Sequence, residues 1–300
     1  MSADQAKLGL ALGSGGARGF CHIGVLDALA ERGIKPDVIA GCSMGALVGA
    51  AYAGGKLDPL RDWARSITPT NFLGLLDLRF AGGGLVEGRE IAGLLDRLGL
   101  PDRIEDLDLP FVCVATDFNT GREVWFDKGP LAPAVRASVA IPGIFSPVER
   151  DGRWLIDGGL VNPVPVSLAR AMGAEVTIAV DPNARPDGVV WKPAPPREGG
   201  LTSVLRQVQK SLPAPMQGLL DWGARGPVAP GYLEVVSHSI DIMTGRICQA
   251  RLAGDPPQVL LAADLSSMSV LDFHEARRAM EEGARLVKAS EAAIDALCAP

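Results

Sequence analysis

The feature that most restricts what this 300-residue chain can fold into is the turn Gly41-Cys42-Ser43-Met44-Gly45. An apolar run, Val38-Ile39-Ala40, enters it, and a run of small residues, Ala46-Leu47-Val48-Gly49-Ala50, leaves it. Strand, G-x-S-x-G, helix is the pattern of a nucleophile elbow, a sharp turn that holds a serine hydroxyl exposed at the end of a sheet. Side chains two residues before and after the serine would collide across such a turn, so glycine is the residue that fits at Gly41 and Gly45. Ser43 then lies at a helix N-terminus, where unpaired backbone N–H groups favour developing negative charge. With 36 glycines in the chain, a chance match competes with this reading, and the neighbouring elements decide between them.

Those elements alternate strand and helix. Leu8 to Leu12 is wholly apolar, which suits a strand buried on both faces of a parallel sheet. It runs into Gly13-Ser14-Gly15-Gly16-Ala17-Arg18-Gly19, and Phe20 to Glu31 then has helical spacing closed by Arg32-Gly33. The loop departs from a dinucleotide fingerprint, because the sixth position counted from Gly13 is Arg18 and no acidic residue ends the second strand. It also lacks the Gly-Lys-Ser/Thr of a Walker loop. What remains is an anion-binding nest of backbone N–H groups, which beside a serine nucleophile is an oxyanion hole. The loop and Ser43 both leave the carboxyl ends of parallel strands, so topology brings them together.

Further along, helices are predicted at 58–67, 88–98, 131–140 and 164–172, and strands at 111–115, 123–126 and 176–180. Ile144-Phe145 looks strand-like, and a hairpin over 148–156 turns at Asp151-Gly152 and delivers Asp157-Gly158-Gly159. A helix over 232–251, a strand over 258–262 and one charged helix over 272–292 complete the pattern. Between 182 and 230 lie nine of the 23 prolines, which marks an irregular insertion. It carries an amphipathic piece, Leu201 to Leu212, and a local basic excess on a chain of net charge −6. That composition suits an interfacial patch docking on lipid, and equally an excursion without fixed structure or one that forms a dimer.

The acidic balance argues against a nucleic-acid partner. Five cysteines, at 21, 42, 113, 248 and 298, have neither metal-ligand nor disulfide-framework spacing, so reduced thiols in a cytoplasm are expected, with no metal and no cofactor. No signal-peptide pattern opens the chain and no stretch is apolar enough to span a membrane, so the expected location is the cytoplasm, at most peripheral to a membrane.

A serine hydroxyl needs a base. His238 and His274 follow both Ser43 and Asp157, so a Ser-His-Asp triad is formally available, although neither histidine sits in a turn context. His22 reads as an ordinary helix histidine. Asp157, on a tight turn after a strand, is a direct alternative, competing with the common role of an Asp-Gly aspartate that bonds its own backbone.

Taken in order, the 13–19 loop, Gly41–Gly45, Ala137-Ser138-Val139-Ala140-Ile141-Pro142-Gly143-Ile144-Phe145 and Asp157-Gly158-Gly159 resemble the motif series of the bacterial patatin-like phospholipases. The resemblance runs from about residue 8 to 182. It implies a three-layer α/β/α fold with a mostly parallel sheet and a lipid substrate, hydrolysed at its acyl ester by a Ser43-Asp157 dyad without a catalytic histidine. It further implies that the backbone of Gly13, Ser14, Gly15, Gly16, Ala17 and Arg18 forms the oxyanion hole, with Gly41, Gly45, Gly158 and Gly159 shaping the two turns. Ser14 departs from the glycine that many members carry. The expected organisation is a catalytic core over 8–182, the insertion over 183–230, and 231–300 completing the same domain. The rival readings are a triad esterase and a non-enzymatic lipid-binding protein on a degenerate patatin fold. Arg18 is a candidate to steer an anionic head group, or a plain surface arginine at a helix start.

Overall fold

The computed structural model describes residues 6–68, 89–185, 188 and 232–298. Nearly all of the 183–230 insertion, the amphipathic piece Leu201 to Leu212 included, therefore lies outside the described residues. Eight strands form one sheet: β1 Leu8–Leu12, β2 Val38–Cys42, β3 Phe111–Asp117, β4 Glu123–Phe126, β5 Val148–Arg150, β6 Arg153–Asp157, β7 Val176–Asp181 and β8 Val259–Ala262. The order is β5-β6-β3-β2-β1-β7-β8, with β4 also paired to β3. The pairs from β3 through β2, β1 and β7 to β8 are parallel, and the ladders among β3, β4, β5 and β6 are antiparallel.

Burial explains the strand compositions. β1, β2 and β3 are buried along their whole length, as uninterrupted apolar strands in a doubly covered sheet must be. On one face Leu10, Leu12, Ile39, Cys113 and Val180 share a core with helices α1 (Cys21–Glu31), α2 (Met44–Ala53), α5 (Leu131–Ser138) and α8 (Ala276–Ala289). On the other face Ala40, Cys42, Val112 and Val114 pack on Leu168 and Ala169 of α6 (Val166–Ala171), while Ala11 and Ala179 meet Cys248 of α7 (Tyr232–Gly254). This is a three-layer α/β/α fold. The amphipathic helices α3 (Leu57–Ser66) and α4 (Arg89–Leu98) bury only their apolar stripes, Leu60 and Ala64 in one and Leu94, Leu95 and Leu98 in the other.

Some elements differ from expectation. The turn before α1 is a 3-10 helix, Gly16–Phe20, so the glycine loop is itself partly helical. Ile144 lies in a turn and Phe145 makes an isolated bridge rather than a strand, both N–H groups donating to the Ile141 carbonyl. The last predicted helix is three pieces: a 3-10 turn at Phe273–Glu275, α8, and α9 over Glu291–Cys298. The break falls at Ser290, and it lets α9 bury Ile294 while Arg32 pairs with Glu291 and Asp295.

Candidate active site

Strand register makes the site. β2 pairs with β3 over residues 111–114 and β4 pairs with it over 113–116, so β2 and β4 lie on opposite edges of β3. β6 pairs over 115–117, overlapping β4, and so takes the same edge as β2. The two strands therefore run toward each other along one edge, β2 ending at Cys42 opposite Val114 and β6 ending at Asp157 opposite Ala115. Ser43 and Asp157, 114 residues apart in sequence, meet where the strands meet, and Ser43 Oγ donates to Asp157 Oδ2 at 2.6 Å.

Ser43 has φ 54° and ψ −122°, a conformation that costs a non-glycine residue on the order of 1–3 kcal/mol. Close packing holds it there. A Cβ on Gly45 would lie 2.1 Å from the Leu12 carbonyl oxygen, and one on Gly41 would lie 2.5 Å from Ala46 Cα. The Ser43 N–H donates to Ser138 Oγ at 2.9 Å, and that hydroxyl donates to the Val114 carbonyl at 2.7 Å. Val114 is the last β3 residue opposite β2, so Ser138 ties the elbow to the gap between the two strands. Ser138 lies within a quoted motif, yet nothing in its local spacing assigns it a role; a buried hydroxyl at the end of a small-residue helix is the only signal.

Asp157 is held on all sides. Its N–H donates to the Ala140 carbonyl, its own carbonyl accepts from Thr116 Oγ1, and Oδ1 accepts from the Gly159 N–H at 2.7 Å. It thus bonds its own turn and Ser43 at once. Only 5% of Asp157 and 2% of Ser43 is exposed. Burial pushes the carboxyl up to about 6, against the opposing pull of the hydrogen bonds from Ser43 and Gly159.

Within the glycine loop the N–H groups divide. Those of Gly13, Ser14, Ala17 and Arg18 donate to the carbonyls of Val180, Pro163, Val270 and Gly15. Those of Gly15 and Gly16 have no partner among the described residues, nor has that of Met44, which follows the serine. Gly16 adopts φ +52°, and a Cβ there would lie 2.4 Å from the Val270 carbonyl oxygen. Gly158 and Gly159 form the 3-10 turn after Asp157.

The Arg18 side chain does not face solvent. Its Nε donates to the Met268 carbonyl and Nη1 to Asn183 Oδ1, with Asp241 of α7 at 3.7 Å. Committed to these partners, it is neither a head-group guide nor a surface residue. His22 is fully buried; its Nε2 meets the Gly13 carbonyl at 2.7 Å, and burial lowers its pKa to about 4. His274 is exposed, and among the described residues no histidine hydrogen-bonds Ser43 or Asp157. Among them, too, there is no cluster of three or more metal-ligating side chains, and no helix is long and apolar enough to cross a membrane.

Comparison with known proteins agrees with the fold. Residues 10–170 match the model of the family described as patatin-like phospholipase. A protein of Mycobacterium tuberculosis, named an uncharacterized NTE family protein, is 35% identical over 94% of this chain and 91% of its own length. Patatin-like phospholipase domain-containing protein 6 of Homo sapiens is 38% identical over 58% of this chain, a match that covers 13% of that longer protein. Legionella pneumophila VipD superposes with a TM-score of 0.43 at 14% identity over 95% of this chain and 67% of its own. With the family model spanning more than half of the sequence, this chain belongs to the patatin-like phospholipase family.

Proposed function

We propose that this protein is a serine lipid acyl hydrolase that cleaves carboxylic esters of phospholipids or lysophospholipids through Ser43 and Asp157. Ser43 Oγ attacks the ester carbonyl as its proton passes to Asp157 Oδ2, and the Gly15 and Gly16 N–H groups receive the oxyanion. Asp157 returns the proton to the departing alcohol, leaving the acyl group on Ser43. Water then attacks the acyl-enzyme, giving its proton to Asp157, and the fatty acid leaves as Ser43 is reprotonated.

The observation that carries this reading is the 2.6 Å hydrogen bond between Ser43 Oγ and Asp157 Oδ2. An aspartate near its reference value of about 3.9 is a weak base for a serine. Burial that lifts this carboxyl to about 6 makes it a stronger one while leaving it mostly ionised at neutral pH. Family membership supports lipid hydrolysis at the coarser level. A triad lacks support in the geometry, since the Ser43 hydroxyl is already engaged by a carboxylate. The test is hydrolysis of a soluble short-chain ester and of phospholipid vesicles by the wild type, Ser43→Ala and Asp157→Asn. Loss of both activities in both variants is expected, and hydrolysis surviving both would sink the dyad.

A further inference from the structure

Large apolar side chains left exposed are unevenly spread over the described residues. There are seven: Phe118, Trp125, Trp154, Val235, Ile242, Met243 and Leu260. Three belong to the β3-β4-β6 region and three to α7. Phe118, 63% exposed, follows β3 directly and donates its N–H to the Trp154 carbonyl. By the β3-β6 register the two aromatics face each other one pair beyond Asp117 and Leu155, so both project from the same face. Continuing the ladder from Ala115 opposite Asp157, they stand three residues past the level of the base, on the order of 10 Å along the strands, and that odd step puts them on the opposite face of the sheet from Asp157. Trp125, paired with Val114, points to that same face from β4.

α7 extends the patch. Trp125, Leu160, Val161 and Ile247 line an open groove of about 610 Å³ that also touches Arg122. Met243 lies one helical turn from Ile247, so the apolar surface continues from β4 onto α7. The anchoring of α7 through Asp241 to Arg18 and Arg185 keeps that helix beside the glycine loop.

The polar groups of the rim select the partner. The guanidinium groups of Arg122, three residues before Trp125, and Arg153, next to Trp154, have no ion-pair or hydrogen-bond partner among the described residues. Glu123, by contrast, is occupied by Arg251, Trp125 Nε1 and Asn162. Glu149 and the exposed Asp151 offset the rim's positive charge, so simple attraction to an anionic surface is weak. Exposed tryptophans combined with unengaged arginines suit the interfacial zone of a bilayer, where rings enter the acyl boundary and guanidinium groups meet lipid phosphate.

We propose that Phe118, Trp154 and Trp125, continued by Ile242 and Met243 of α7, form a surface that seats the protein on a bilayer of phosphate-bearing lipids. This puts a membrane contact at the carboxyl end of the sheet, apart from the one expected of the 183–230 insertion. It rests on the lipid acyl hydrolase reading, but its test does not need turnover. The full chain carrying Ser43→Ala is titrated with phosphatidylcholine vesicles and with vesicles that also contain phosphatidylglycerol. Binding to both is expected, with partitioning falling about tenfold for each of Phe118→Ser and Trp154→Ser, and further for Met243→Lys.

In the Ser43-containing background the same rim variants should hydrolyse a soluble short-chain ester within about twofold of the wild-type rate, with unchanged thermal midpoints. Arg122→Gln with Arg153→Gln should weaken binding to both vesicle types. Unchanged partitioning in the aromatic variants would overturn the proposal. If those variants instead lose self-association, a second copy of the chain covers this face. Failure of the dyad would show only in the ester assay with Ser43→Ala and Asp157→Asn, and failure of the docking surface only in the vesicle titration.

Discussion

Two corners at the carboxyl end of the sheet bury an ionisable side chain, and burial acts on them in opposite directions. Under the glycine loop, His22 is lowered to about 4, so it stays neutral and holds the Gly13 carbonyl. At the end of β6, Asp157 is raised to about 6 and bonds the serine. The same desolvation makes the histidine a poorer base and the aspartate a better one. Residue type alone would have chosen the histidine. Environment favours the carboxylate as the proposed base, and the arrangement then needs no imidazole.

The largest effect expected from breaking this contrast is at its active half. Ser43→Ala and Asp157→Asn should each lower kcat/KM on a soluble ester by at least about 1,000-fold, measured against an intact thermal midpoint. His22→Gln should cost less than about tenfold and leave the shape of the pH profile unchanged, since its part is to hold a carbonyl. A loss as large as that of Asp157→Asn would erase the distinction between the two corners.

The next effect is on the support of the elbow. Ser138→Ala removes the acceptor of the buried Ser43 N–H, which should cost about 1–3 kcal/mol of stability. Displacement of the nucleophile should lower kcat by up to about 100-fold with KM little changed. Steady-state kinetics beside chemical denaturation separates the two effects.

Asp157 should also tax the fold. Its folded pKa of about 6 lies above the 3.8 of an ordinary aspartate, so the folded state binds the proton more tightly than the unfolded state. Stability is therefore highest below the unfolded value, falls as pH rises from about 4 to about 6, and stays lower above that. Asp157→Asn should be more stable than the wild type by about 3 kcal/mol at pH 8, with the gap closing near pH 4. Denaturant midpoints at the two pH values check this, and a pH-independent gap would contradict it.

How far the sequence could be read follows from how local each signal is. β2 and the elbow are legible because an apolar run, a glycine pattern and a small-residue helix follow one another between residues 38 and 53, and β1 because its short run is wholly apolar. The Asp151-Gly152 hairpin is legible for the same reason, and both residues adopt the positive φ that its turn needs. What brings Asp157 to Ser43 is the meeting of β2 and β6 on one edge of β3, a matter of long-range register that no short window contains. Without the family resemblance, only its tight turn, taken with the elbow and the glycine loop, favours Asp157 over the histidines as the base. The buried state of Arg18 was equally hidden, because its partners Met268, Asn183 and Asp241 are 165 to 250 residues away. The break at Ser290 was missed because the amphipathic pattern continues across it.

The central claim, that a carboxylate rather than an imidazole takes the serine proton, is tested most directly by the pH dependence of kcat/KM on a soluble ester. It should be measured for the wild type and for a variant carrying His238→Gln and His274→Gln together. The expected result is one ionisation near pH 6 in both proteins, activity rising as the pH increases through it, with rates within about threefold of each other. Loss of activity in the double variant, or disappearance of that ionisation, would contradict the account and return the triad.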